Sequence, residues 1–116
     1  MKKIALLFVA LITLSFTKIN NDTVKFKATV ENRNSDTLVI RSRTFNKIIV
    51  SNKEGVFTDE FSVEEGFYQL YDGAEYAKLY LKNGYDLNMF LNAEKFDESI
   101  KFQGDGANEN NFLAEM

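Results

Sequence analysis

The stretch Ala77-Lys78-Leu79-Tyr80-Leu81-Lys82-Asn83-Gly84-Tyr85-Asp86-Leu87-Asn88-Met89-Phe90-Leu91 decides the fold class. Ala77, Leu79 and Leu81 alternate with Lys78, Tyr80 and Lys82; Leu87, Met89 and Leu91 alternate with Asn88 and Phe90. A period of two belongs to strands with one face on a core and the other toward solvent. Asn83-Gly84 supplies the positive backbone angles of a type I′ turn, so the stretch predicts a β-hairpin.

The same period extends outward. Val24, Phe26, Ala28 and Val30 alternate with Lys25, Lys27 and Thr29, and the turn cluster Asn32-Arg33-Asn34-Ser35-Asp36 ends that strand. Further strands are expected over Thr37–Arg41, Phe45–Val50, Val56–Val63 and Phe67–Tyr71, with turns at Ser51–Gly55 and Asp72-Gly73. In the fourth strand Asp59 shares a face with Phe57, Phe61 and Val63, which predicts a bulge or turn there. Ile100–Phe102 is a last short strand before Gly104-Asp105-Gly106. A helix is expected beyond, capped by Asn108 or Asn110 and beginning over Asn111–Met116. The expected fold is all-β: a small antiparallel β-sandwich or partly open barrel of about seven to eight short strands, with an N-terminal signal helix and the start of a C-terminal helix.

The N-terminus reads as an address. Lys2 and Lys3 precede Ile4–Leu14, which is apolar except for Thr13, and Ser15–Asp22 is polar. That run has the length of a secretory h-region and falls short of the roughly 20 residues of a membrane span. Residues 1–17 are therefore expected to be a signal peptide, cut after Thr17. The chain is expected in the periplasm or cell envelope, not as a lipoprotein, because it has no Cys to lipidate. The expected division is 1–17 signal peptide, 18–106 β-sandwich accessory domain and 107–116 start of a linking helix.

Composition narrows the chemistry. The sequence contains no Cys, so a thiol nucleophile, a Cys-x-x-Cys redox centre and a disulfide framework are all absent from it. It also contains no His, the commonest general base and metal ligand. Fourteen basic residues oppose 17 acidic ones, and two of the basic ones are Lys2 and Lys3. Acidic balance without a basic stripe argues against nucleic acid and anionic membrane as partners. The acidic pairs Asp59/Glu60, Glu64/Glu65 and Asp97/Glu98 are adjacent residues, which on a strand point to opposite faces and cannot flank one bond. Asp105, Asn108 and Glu109 give only a thin version of a calcium loop. Gly104-Asp105-Gly106 lacks the third glycine and the lysine of phosphate-binding loops and reads as a strand-to-helix turn. Tyr68, Tyr71, Tyr76, Tyr80 and Tyr85 pack as core and rim, with a stacking platform for sugar or peptide as the alternative. Asn21-Asp22-Thr23 matches a glycosylation acceptor and carries no information so close to the mature N-terminus. No catalytic, cofactor-binding or metal-ligating residue is singled out, and no cofactor is expected.

Several segments together resemble the N-terminal accessory domain of exported thioredoxin-like proteins of the Bacteroidota, the TlpA-like, AhpC/TSA-type disulfide reductases. They are Gly55-Val56-Phe57, Gly66-Phe67-Tyr68-Gln69-Leu70, Leu79–Leu87, Phe96–Phe102 and the ending Gly104-Asp105-Gly106-Ala107-Asn108-Glu109-Asn110-Asn111-Phe112-Leu113. The ending is similar to a "G-x-G-x-x-N-N-[FY]-L" passage leading into that family's linking helix. In that family a helical segment and a thioredoxin fold with Cys-x-x-Cys follow. The resemblance thus implies a non-catalytic accessory domain in a fragment lacking its redox domain, with no catalytic residue to carry over. The implied partner is a C-terminal thioredoxin-like domain; a client protein or self-association are further expectations, with no nucleic acid and no membrane after signal cleavage. The alternative is a free-standing periplasmic β-sandwich module binding peptide or glycan.

Overall fold

The computed structural model describes residues 22–116; the expected signal peptide, residues 1–17, and its helix lie outside the described residues. Eight strands follow in order: β1 (Val24–Glu31), β2 (Thr37–Arg41), β3 (Asn46–Val50), β4 (Val56–Phe61), β5 (Gly66–Tyr71), β6 (Tyr76–Leu81), β7 (Asp86–Asn92) and β8 (Lys101–Gly104). A short α1 (Phe96–Ser99) separates β7 from β8, and α2 (Ala107–Glu115) follows β8. The strands form two four-stranded sheets, β4-β1-β7-β8 and β3-β2-β5-β6. The expected all-β sandwich is the fold.

Alternation puts the core between the sheets. Phe26, Phe57, Leu87 and Met89 of the first sheet face Leu38, Ile40, Leu70, Leu79 and Leu81 of the second, each at most 2% exposed. Each such side chain, fully buried, contributes about 1.5–3 kcal/mol relative to exposure. All pairings are antiparallel except β1 with β7, which run parallel from Lys25↔Asp86 to Glu31↔Asn92.

That parallel pair corrects the expected hairpin. β6 and β7 lie in different sheets. The turn between them has positive φ at Gly84 (100°) but not at Asn83, and Tyr85 N–H donates to Lys82 O at 3.1 Å. One positive angle at the third residue is the pattern of a type II turn, which splays its flanking strands where a type I′ turn would pair them. Tertiary bonds hold the corner open. Gly84 N–H donates to Thr23 O at 2.8 Å, Lys25 N–H to Tyr85 O at 2.8 Å, and Val63 N–H to Asn83 Oδ1 at 2.9 Å. These direct β7 alongside β1.

The bulge expected at Asp59 is also absent. β4 pairs with β1 in unbroken register from Val24↔Phe61 to Thr29↔Val56. Asp59 does face inward, at the sheet edge, where its Oδ2 lies 3.1 Å from Nζ of Lys47 on β3. An ion pair between the sheets gives the carboxylate a partner, so the backbone stays regular. The strand ends at Phe61 rather than Val63. The last strand, expected over Ile100–Phe102, runs Lys101–Gly104.

Candidate functional site

The two outer faces of the sandwich differ in kind. The outward residues of the first sheet include Lys25, Lys27, Thr58, Glu60, Asn88, Lys101 and Gln103. The second sheet turns Val39, Ile48, Val50, Phe67, Tyr71, Tyr76 and Tyr80 outward. Phe67 is 67% exposed and Val50 66%. Alternation produces both faces: the first is mostly polar apart from Phe90, as usual for a solvated sheet, whereas the second sets these apolar and aromatic residues around a polar row of Arg41, Gln69 and Lys78. The apolar surface continues from Phe67 onto α2, where Phe112 is 66% exposed and Met116, just beyond it, 84%. With Tyr80, Asn108, Glu109 and Leu113 these residues line a groove of about 630 Å³.

The tyrosines divide into three settings. Tyr68 belongs to the core, its hydroxyl donating to Glu64 O at 2.7 Å and its ring edge-on to Phe45 at 5.4 Å. Burial pushes its phenol up, and the nearby Glu64 charge adds to this, while the bond to the Glu64 carbonyl opposes it. Tyr71 and Tyr76 pair on the outer face with ring centroids 4.5 Å apart, and the Arg41 guanidinium lies over both. Tyr80 sits 5.5 Å from Phe67 and 6.5 Å from Tyr85. Its hydroxyl donates to Glu65, and that bond, ahead of burial and charge, raises its pKa. Tyr85 donates to Glu109 Oε2 at 2.5 Å; burial first, then the Glu109 bond and charge, push it well above the usual phenol range.

The helix α2 is the feature that sequence reasoning misread. Asn110 is not a cap: the N-cap is Gly106, and the helix begins at Ala107. Asn110 is fully buried, its Oδ1 accepting from Tyr80 N–H at 2.8 Å and its Nδ2 donating to Tyr80 O at 2.9 Å and Gly106 O at 2.9 Å. Asn111 does the same on the other sheet, accepting from Phe102 N–H at 2.8 Å and donating to Phe102 O at 3.0 Å. β6 and β8 are edge strands of the two sheets. Two consecutive amides therefore complete the hydrogen bonding of one residue on each edge, as a neighbouring strand would. The helix thus packs on both sheets, against β6 and β8. The asparagine pair itself was the available signal, since polar residues ahead of Phe112-Leu113 suit an edge contact as well as a cap.

Gly104 and Gly106 are explained by this corner. Both have positive φ, 90° and 81°. A Cβ would lie 2.3 Å from Asp86 O at Gly104 and 2.3 Å from the Tyr85 ring at Gly106. The segment is the expected strand-to-helix turn, fitted closely against β7.

The acidic residues are dispersed in structural bonds. Glu60 accepts from Thr23 Oγ1 at 2.6 Å, and Asp105 Oδ2 from Asp86 N–H at 3.3 Å. Glu109 is engaged by Tyr85, so Asp105, Asn108 and Glu109 do not converge on one point. Among the described residues no three Asp or Glu side chains gather as metal ligands would, and no helix is long and apolar enough to cross a membrane. Asp72, read from sequence only as a turn marker, is buried at 2% exposure. It accepts from Ala74 N–H, Glu75 N–H and Asn34 Nδ2 at 2.8–2.9 Å, organising the β5–β6 turn.

No family model, curated protein or solved structure matches this chain.

Proposed function

We propose that this chain provides a non-catalytic interaction domain of an exported thioredoxin-like disulfide oxidoreductase, acting in the periplasm or cell envelope. The observation that carries the reading is an exposed apolar patch that runs from Phe67 and Tyr80 on the second sheet onto Phe112 and Met116. Soluble domains rarely leave a contiguous apolar patch open unless something binds it. The resemblance of Gly104–Leu113 and the earlier segments to the accessory domain of thioredoxin-like proteins names the partner that such a face would dock. Lacking Cys and His, the domain would position that partner or its client rather than exchange thiols.

The coding DNA past the Met116 codon tests the assignment. An in-frame thioredoxin fold with Cys-x-x-Cys supports it; a stop codon, with no such fold in the same transcript, overturns it. In the joined protein, Phe67→Ser with Phe112→Ser is expected to release the two domains from each other, read by NMR relaxation as separate tumbling.

The second reading is a free-standing periplasmic module that stacks on peptide or glycan. The outward pair Tyr71 and Tyr76 favours it. Retention of the chain on a glycan array, abolished by Tyr76→Ala, would select it over the first.

A further inference from the structure

We infer that the groove between the outer face of the second sheet and α2 docks an acidic, apolar peptide segment of a partner protein. The inference rests on the reading of this face as a docking surface and names the chemistry of its occupant. The groove is about 840 Å³ and is lined by the cations Arg41, Arg43 and Lys78 together with the apolar Phe67, Leu113 and Met116. No Asp or Glu lines it.

A cluster of three cations departs from the character of this chain, which has more acids than bases. Neither Arg33–Asp36 nor Lys47–Asp59 involves these three cations, and of the three only Lys78 also borders a neighbouring groove with acidic residues, Asp97 and Glu115. Like charges gathered on one face repel, and an anion placed among them relieves that repulsion. Arg41 is held ready for one. Its Nε donates to Gln69 Oε1 at 3.3 Å, its Nη2 donates to the Tyr76 hydroxyl at 3.1 Å, and its guanidinium carbon lies 5.4 Å from the Tyr76 ring centroid. A guanidinium already ordered by stacking loses less freedom on pairing with a carboxylate.

The layout separates ligand classes. Arg41, Gln69 and Lys78 occupy paired positions across β2, β5 and β6. Two strand spacings put the outer cations about 10 Å apart. Two carboxylates on one peptide cover that span, whereas a single carboxylate head group does not. Three cations on an acidic domain are too few for a phosphate backbone, whose binding grows with the number of phosphates neutralised. The apolar lining residues Phe67, Leu113 and Met116 take the intervening Leu or Phe side chains of the peptide.

The test uses the purified full chain and three probes in fluorescence anisotropy: a labelled peptide of Glu interleaved with Phe and Leu, the same peptide with every Glu replaced by Lys, and dodecanoate as competitor. The Glu peptide is expected to bind and the Lys peptide not to. Raising salt from about 50 mM to about 500 mM is expected to weaken binding several-fold. Arg41→Glu with Lys78→Glu is expected to weaken it by about tenfold or more. Arg43→Ala, outside the strands and so without effect on the sheet, is expected to weaken it about threefold. Equal binding of the Lys peptide, displacement by dodecanoate, or no binding of the Glu peptide would each overturn the inference. If a thioredoxin-like partner docks through Phe67 and Phe112 while the Glu peptide fails, this inference falls and the docking reading stands. If the Glu peptide binds and the transcript encodes no thioredoxin fold, the peptide site stands and the domain assignment falls.

Discussion

The two long sides of the sandwich are closed by different means. On one side the edges β6 and β8 are joined by α2, through Asn110 to Tyr80 and Asn111 to Phe102. On the other, β3 leads into β4 through residues 51–55, the strands meet at the Ser51–Phe57 bridge, and Lys47 pairs with Asp59 across the gap. The lesson lies in what each seal leaves behind when cut. Lys47 and Asp59 are partly exposed, so either one alone returns to water. The asparagines satisfy backbone groups at the helix contact, and a buried N–H or C=O that loses its partner costs more than the bond was worth. The helix also covers two strand edges that would otherwise be open to another chain.

Substitutions can break or sharpen this contrast. The largest effect is expected at Asn110→Ala, which strands both Tyr80 backbone groups: a loss of about 2–4 kcal/mol in urea unfolding, with faster hydrogen exchange at the Tyr80 amide. A loss as small as that of Lys47→Ala would erase the distinction between the sides. Gly106→Ala comes next, at about 2 kcal/mol, because it forces a Cβ toward the Tyr85 ring at a left-handed φ. Asn111→Ala, at a less buried position, is expected to cost about 1–2 kcal/mol. Combined with Asn110→Ala it should cost less than the sum, since the first change already loosens the helix.

On the open side, Lys47→Ala is expected to cost about 0.5 kcal/mol or less, and high salt should shrink even that. The smallest effect at neutral pH is that of Tyr85→Phe, which becomes visible in alkali. The folded state favours the neutral Tyr85 phenol, whose pKa is raised by burial and by Glu109. Its contribution is therefore present below about pH 10, the unfolded value, and is lost as pH rises toward the folded one. In Tyr85→Phe the alkaline fall in stability, followed by denaturant midpoints, should be shallower. An unchanged slope would remove Tyr85 from the closed side's account.

Much of this was legible in the residues. The alternation through Val24–Val30 and Ala77–Leu91 placed the inward side chains correctly, because the strand period is local geometry and every inward apolar residue lowers the same free energy. What failed was pairing. Asn83-Gly84 is compatible with more than one turn type, and the choice fell to bonds from Thr23, Lys25 and Val63, which are remote in sequence. Asp59 looked like an interruption until Lys47 arrived from the other sheet. The cationic groove was invisible for the same reason: Arg41, Lys78 and Leu113 come from three distant segments.

By itself the sequence determined the all-β class, the strand positions and the absence of thiol and imidazole chemistry, since these depend on residue type and short-range period. Tertiary structure alone decided that β7 runs beside β1, that Asn110 and Asn111 seal two sheet edges, and that Phe67 and Phe112 meet in one exposed apolar patch. Those outcomes depend on which distant backbone groups lack a partner, and only the assembled sheets define that.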